Sequence, residues 1–153
     1  MKKIGMIFLA LLFSQLLPAQ FVATMEIKDN DSIQGLCNRK QVYSLLPMFK
    51  GQEEAKCDVP DKTIENRLNA EVVYLKENSN QSDKGMVSII INCKGEVVRC
   101  ETDNKTQSEE LDKQILAVFA SLKKWKPGKL NGKEVDSVTL WSFEIKKGEI
   151  KLH

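Results

Sequence analysis

The sequence predicts a small α+β domain, and three stretches carry that reading. Val87, Ile89 and Ile91 alternate as a strand, and Ile90 makes the run apolar on both faces, as a central strand would be. Leu111, Ile115, Val118, Phe119 and Leu122 fall on one face of a helix, with Trp125 closing the stripe. Val138, Leu140, Trp141, Phe143 and Ile145 form a last strand.

Other elements follow in chain order. Lys2 and Lys3 precede an apolar run over residues 4–13, which continues to Leu17 and Pro18 before Ala19 and Gln20. This is the pattern of a signal peptide over residues 1–19, cut near Gln20. The run is shorter than the ~20 residues a spanning helix needs, and the alternative is an uncleaved anchor. Residues 20–59 carry Phe21, Val22, Leu36, Val42, Leu45, Leu46 and Phe49 without a sustained period, punctuated by Pro47 and Gly51. They read as a poorly defined N-terminal segment ahead of a domain over residues 60–153.

Pro60 suits the first turn of a helix. Ile64, Leu68, Val72 and Leu75 then make one stripe at i, i+4, i+8 and i+11. A polar loop spans 77–84. Lys94-Gly95 turns the strand back into residues 96–102, making a hairpin with Cys93 at its tip. Thr106 and Glu109 have the spacing of a capping box for the following helix. Pro127-Gly128 stops that helix, and Asn131-Gly132 is a strong turn signal. Lys147-Gly148 turns a short tail, Glu149–Leu152, back against the last strand.

Charge excludes one class of partner. The chain has 23 basic and 21 acidic residues, and Lys2 with Lys3 accounts for the whole excess. A mature chain near neutrality has no global field to draw nucleic acid or anionic lipid. Four cysteines, Cys37, Cys57, Cys93 and Cys100, permit two disulfides with three connectivities in an oxidising compartment. Cys37–Cys57 is the expected bridge, because both lie in a segment with few other means of being held. Cys93–Cys100 is disfavoured by the length of strand between them, and Cys100 reads as a buried free thiol. There is no C-x-x-C pair, the only histidine is His153, and no nucleophile elbow or phosphate loop occurs. The expectation is a chain without catalytic, metal or cofactor site.

The residues also carry a resemblance. Trp125-Lys126-Pro127-Gly128-Lys129-Leu130-Asn131-Gly132-Lys133-Glu134-Val135 resembles the W-x-P-G-x-x-N-G-K-x-V signature of TonB C-terminal domains, and it stands between the helix and the final strand as in that family. Gly85-Met86-Val87-Ser88-Ile89 is similar to the family's G-x-V-x-V start. Leu46-Pro47-Met48-Phe49-Lys50-Gly51 is a looser echo of a P-x-F-x-G-G box, with Gln52 replacing the second glycine. The match covers about residues 85–146. It implies a protein-binding module of the Gram-negative envelope, periplasmic or secreted, whose partner is a segment of an outer-membrane transporter. In such domains the strand after the signature lies at the sheet edge and takes up that segment by strand addition. That makes Thr139, Trp141, Ser142, Phe143 and Ile145 the candidate partner-binding residues here. The Pro-rich spacer of a full transducer is missing, and a short, membrane-anchored energy transducer is the alternative.

Overall fold

A computed structural model describes residues 21–26 and 33–153; the expected signal peptide lies outside the described residues. The architecture is mixed α+β and mostly sheet. At its centre β5 (Asp83–Ile91) runs antiparallel to β10 (Ser137–Lys146) in an unbroken register from Ser137↔Ile91 to Ile145↔Asp83. β6 (Val97–Asn104) returns from the hairpin and flanks β5. On the far side of β10 lie two shorter strands. β2 (Gln41–Ser44) pairs in parallel with Ser137 and Val138, and β11 (Glu149–Leu152) pairs antiparallel with residues 143–146. β1 (Ala23–Glu26) completes the sheet outside β2.

Strand alternation sends the two faces of this sheet to different cores. Val87, Ile89, Ile91, Phe143 and Ile145 face the helices, and all five are buried. Against them lie α1 (Asp61–Glu71), α2 (Val73–Glu77) and α3 (Glu109–Ala120). The α3 stripe Leu111, Ile115, Val118, Phe119 and Leu122 is buried in full, as its spacing predicts. The expected helix over 60–75 is instead broken at Val72, whose ψ of 90 leaves the helical region. Its four stripe residues are nonetheless all buried. The break is satisfied from outside: Tyr74 N–H, at the start of α2, donates to Gln114 Oε1 of α3 at 2.9 Å.

The cap of α3 also differs from expectation. Ser108, not Thr106, is the N-cap, and its Oγ accepts from Leu111 N–H at 3.3 Å. Thr106 N–H donates instead to the buried Asp112 carboxylate at 3.0 Å. A Ser three residues before an apolar position serves as well as the capping box, and proximity to the helix decides between them.

The described residues before Pro60 pack with the rest of the chain. Val42, Ile33 and Ile90 make a second small core on the other face of the sheet, with Leu36, Val98 and Val138 packed against it. Farther on, β3 (Gln52–Glu53) pairs with β8 (Gly128–Leu130), and β4 (Lys56–Cys57) pairs with β7 (Trp125–Lys126). β8 in turn pairs with β9 (Lys133–Val135) through a turn in which Asn131 and Gly132 both have positive φ, as a two-residue hairpin requires. The N-terminal segment is thus zipped onto the stretch between α3 and β10.

Trp125 sits where these parts meet. It is 6 % exposed, donates from Nε1 to the Leu122 carbonyl at 3.3 Å, and meets Trp141 edge-on at 6.4 Å between ring centroids. Gly95, at φ 80 in the β5–β6 turn, lies directly under the Trp125 carbonyl, so a Cβ there would collide with backbone. Lys129 lies instead between Glu53 and Glu134 on neighbouring strands. Trp125→Ala should therefore lower stability by ~3–5 kcal/mol, against less than about 1 kcal/mol for Lys129→Ala. Urea unfolding midpoints of the two variants measure the difference, and equal small shifts would mean the indole is not a core plate.

Candidate protein-interaction edge

The strand expected to take up a partner is interior to the sheet. β10 has β5 along its whole length on one side, while β2 and β11 cover the two ends of the other. Phe143 and Ile145 are 2 % and 1 % exposed, so their side chains belong to the core and cannot select a partner. Trp141 is half-buried against Phe119 and Trp125, and its buried Nε1 has no hydrogen-bond partner among the described residues. Thr139 and Ser142 are half-buried, and the Ser142 hydroxyl donates to the His153 carbonyl. The β11 tail on this side of β10 is itself sealed on its outer side by α1. Asn69 Nδ2 donates to the Ile150 carbonyl at 2.9 Å, and Ile150 N–H donates back to Asn69 Oδ1 at 2.8 Å. Leu152 N–H reaches Glu65 Oε2 at 3.4 Å. A side-chain amide stands where the next strand would be.

The direction of the backbone groups shows where the sheet is open. Asp136 C=O accepts from Tyr43 N–H at 2.9 Å, and Ser142 C=O accepts from His153 N–H at 3.1 Å. Even-numbered residues of β10 therefore point away from β5, and odd-numbered ones toward it. Val87 and Ile89 of β5 are opposite Trp141 and Thr139 and turn their groups to β10, leaving Ser88 and Ile90 for β6. Ser88 faces Glu101 and Ile90 faces Arg99. Cys100 and Thr102 consequently direct N–H and C=O out of the sheet, along a strand whose one partner among the described residues is β5. By the same parity Leu140, 55 % exposed, faces a one-residue notch between β2 and β11.

The outer strand is guarded rather than bare. Arg99 and Glu101 project on the face away from the helices, 3.9 Å apart at closest, and Asp103 is exposed. Charges of this kind discourage indiscriminate edge pairing. On the helix side the Cys100 thiol is packed against the main core, and burial, with help from Glu101, pushes it up to about 11.

The disulfide is Cys37–Cys93, not Cys37–Cys57. Cys57 and Cys100 are free. Cys57 pairs with Trp125 and packs against the helix-side core, whereas Cys37 meets the tip of the β5–β6 hairpin, so sequence proximity was the wrong guide. Joining positions 56 residues apart contributes about 4 kcal/mol in the chain-entropy treatment. The junction is organised by Asp136, 2 % exposed, whose Oδ1 accepts from Cys93 N–H at 2.8 Å and Oδ2 from Asn38 N–H at 2.6 Å. Asn92, 1 % exposed, completes it: Nδ2 donates to the Gly35 carbonyl at 2.9 Å, and Oδ1 accepts from Lys94 and Glu96 N–H. Neither Asp136 nor Asn92 stands out in the sequence. The available signals were polar residues bounding two strands, Asp136 before Ser137 and Asn92 after Ile91, both at the same end of the β5–β10 ladder.

Peptide mapping without reduction should recover a Cys37–Cys93 linked peptide and leave two alkylatable thiols. Burial raises Cys57 as well, but less, so at pH 8 Cys57 should react before Cys100. With its value about 11, Cys100 is thiolate in roughly one molecule in a thousand at that pH. Faster labelling of Cys100 would mean that β6 does not lie on the core as described.

Comparison of the chain with protein-family models, with curated proteins and with solved structures finds no match.

Proposed function

We propose that this chain is a periplasmic protein-binding module, similar to the receptor-facing domain of TonB, that takes up an extended segment of an envelope protein by strand addition along β6. The observation that carries the reading is the outward direction of the Cys100 and Thr102 backbone groups on the outer strand. Main-chain hydrogen bonds to an added strand would supply affinity, and Arg99, Glu101 and Asp103 would select its charge pattern. The order of hairpin, helix, turn and final strand, with the signature's Trp125 in the core, supports the family likeness. An outer-membrane transporter segment is the partner that likeness suggests.

Two experiments bear on this. Thr102→Pro removes an outward donor and leaves the ladder to β5 intact, so the variant should keep the far-UV spectrum of the parent yet lose capture of its envelope partner by roughly tenfold or more. Thr139→Pro, whose N–H points to β5, should misfold and serves as the contrast. A folded Thr102→Pro chain that captures as well as the parent would exclude β6 and move attention to the notch at Leu140. Intact mass of the protein from its native envelope should correspond to a chain beginning near Gln20. Full-length chain held in the inner membrane would favour the anchored transducer.

A further inference from the structure

We infer that the junction of Cys37, Cys93 and Asp136 is a latent metal site, which in the reduced chain takes a thiophilic divalent cation of the Zn²⁺ type. The two sulfurs, joined in the disulfide, and a carboxylate oxygen of Asp136 all lie within 4.8 Å of one another, the one grouping of three metal-ligating side chains among the described residues. Thiolate and carboxylate are the ligand types zinc accepts, with Zn–S of about 2.3 Å and Zn–O of about 2.0–2.2 Å. Two thiolates on one tetrahedral ion sit ~3.8 Å apart at that bond length. The Cys37 and Cys93 Cα atoms, 6.1 Å apart, allow that separation by side-chain rotation alone.

Asp136 is prepared for the third position. Its two oxygens are fixed by Asn38 and Cys93 N–H, and each keeps a second lone-pair direction for an ion. Those two donors belong to the neighbour of one sulfur and to the residue of the other, so the groups that orient the carboxylate also bring the thiols to it. Outer partners of this kind hold a ligand in the orientation a metal needs. Cys37 is exposed and Cys93 half-buried, which leaves an open side for water as fourth ligand. The buried carboxylate lies beside a neutral disulfide in the oxidised chain and would face two thiols after reduction, whose ionisation its charge opposes. A cation between them offsets that effect.

The chemistry balances simply. A phosphine reductant takes oxygen from one water and becomes the phosphine oxide, while its electron pair breaks the S–S bond and the two water protons pass to the sulfurs. The cation then binds both sulfurs and releases those two protons. Metal binding to the dithiol form alone would stabilise it against reoxidation by mass action.

The mature chain with Cys57→Ser and Cys100→Ser, reduced and freed of phosphine, should be titrated with Co²⁺ as the spectroscopic probe. One equivalent should give a thiolate-to-cobalt charge-transfer band that Zn²⁺ abolishes, and the oxidised chain should give none. Asp136→Asn should weaken binding by roughly tenfold or more, with near-UV circular dichroism reporting whether it remains folded. Cys37→Ser, at an exposed position with Asp136 untouched, should lose the band whatever the fate of the Asp136 variant. Absence of the band in the reduced parent, its equal strength in the Cys37→Ser chain, or unchanged affinity in folded Asp136→Asn would each overturn the proposal.

Discussion

The pairing of β5 with β10 is the constraint on which everything else depends. Its register, Ser137↔Ile91 through Ile145↔Asp83, fixes the parity of both strands at once. Parity decides that Val87, Ile89, Phe143 and Ile145 meet the helices, and that Ile90 and Val138 meet the second core. It also decides which backbone groups are left for β6, β2 and β11. A slip by one residue would exchange the two faces and put a helix-side core into water. Ile90 and Ile91 tolerate either face, but Ser88 and Ser142 do not suit the helix-side core, and they hold the register against such a slip.

Polar groups hold what apolar ones do not. The second core is small, and the segment from Ile33 to Ser44 would be weakly fixed by it alone. The side chains of Asp136 and Asn92 accept or donate six hydrogen bonds among the described residues at the hairpin tip, linking three distant parts of the chain. A buried carboxylate is tolerable when backbone N–H groups meet both oxygens, as they do at Asp136. The same saturation by local donors appears at Asn69, where a helix side chain closes the outer edge of β11.

These two patterns explain what was legible in the sequence. Strand β5, its hairpin, α3 and β10 announce themselves through periodicity and turn residues, because burial of one face is their main determinant. The order of strands does not. Nothing in the spacing of residues 138–145 says whether β2 and β11 flank them, so an interior strand read as an edge. The disulfide failed for a related reason: Cys37 and Cys57 are near in sequence, but Cys57 packs against the helix-side core while Cys37 is exposed at the hairpin tip. Val42 sits in a four-residue strand, too short to show a period, and β3 and β4 are pairings of two residues each. The outer strand β6 was read as half of a hairpin. Its openness is a property of the whole sheet.

The Asn38–Asp136 hydrogen bond spans 98 residues, and that distance is also an interval of time. A chain made from its N-terminus offers Asn38 and β2 long before the strand that seats them. Until Asp136 and Ser137 arrive, β2 has no parallel neighbour in β10 and Cys37 has no carboxylate-held partner. During that interval Cys57 is presented to Cys37 ahead of Cys93, so the first thiol encountered is the wrong one. The native pairing is thus specified by the finished sheet and not by the order of synthesis.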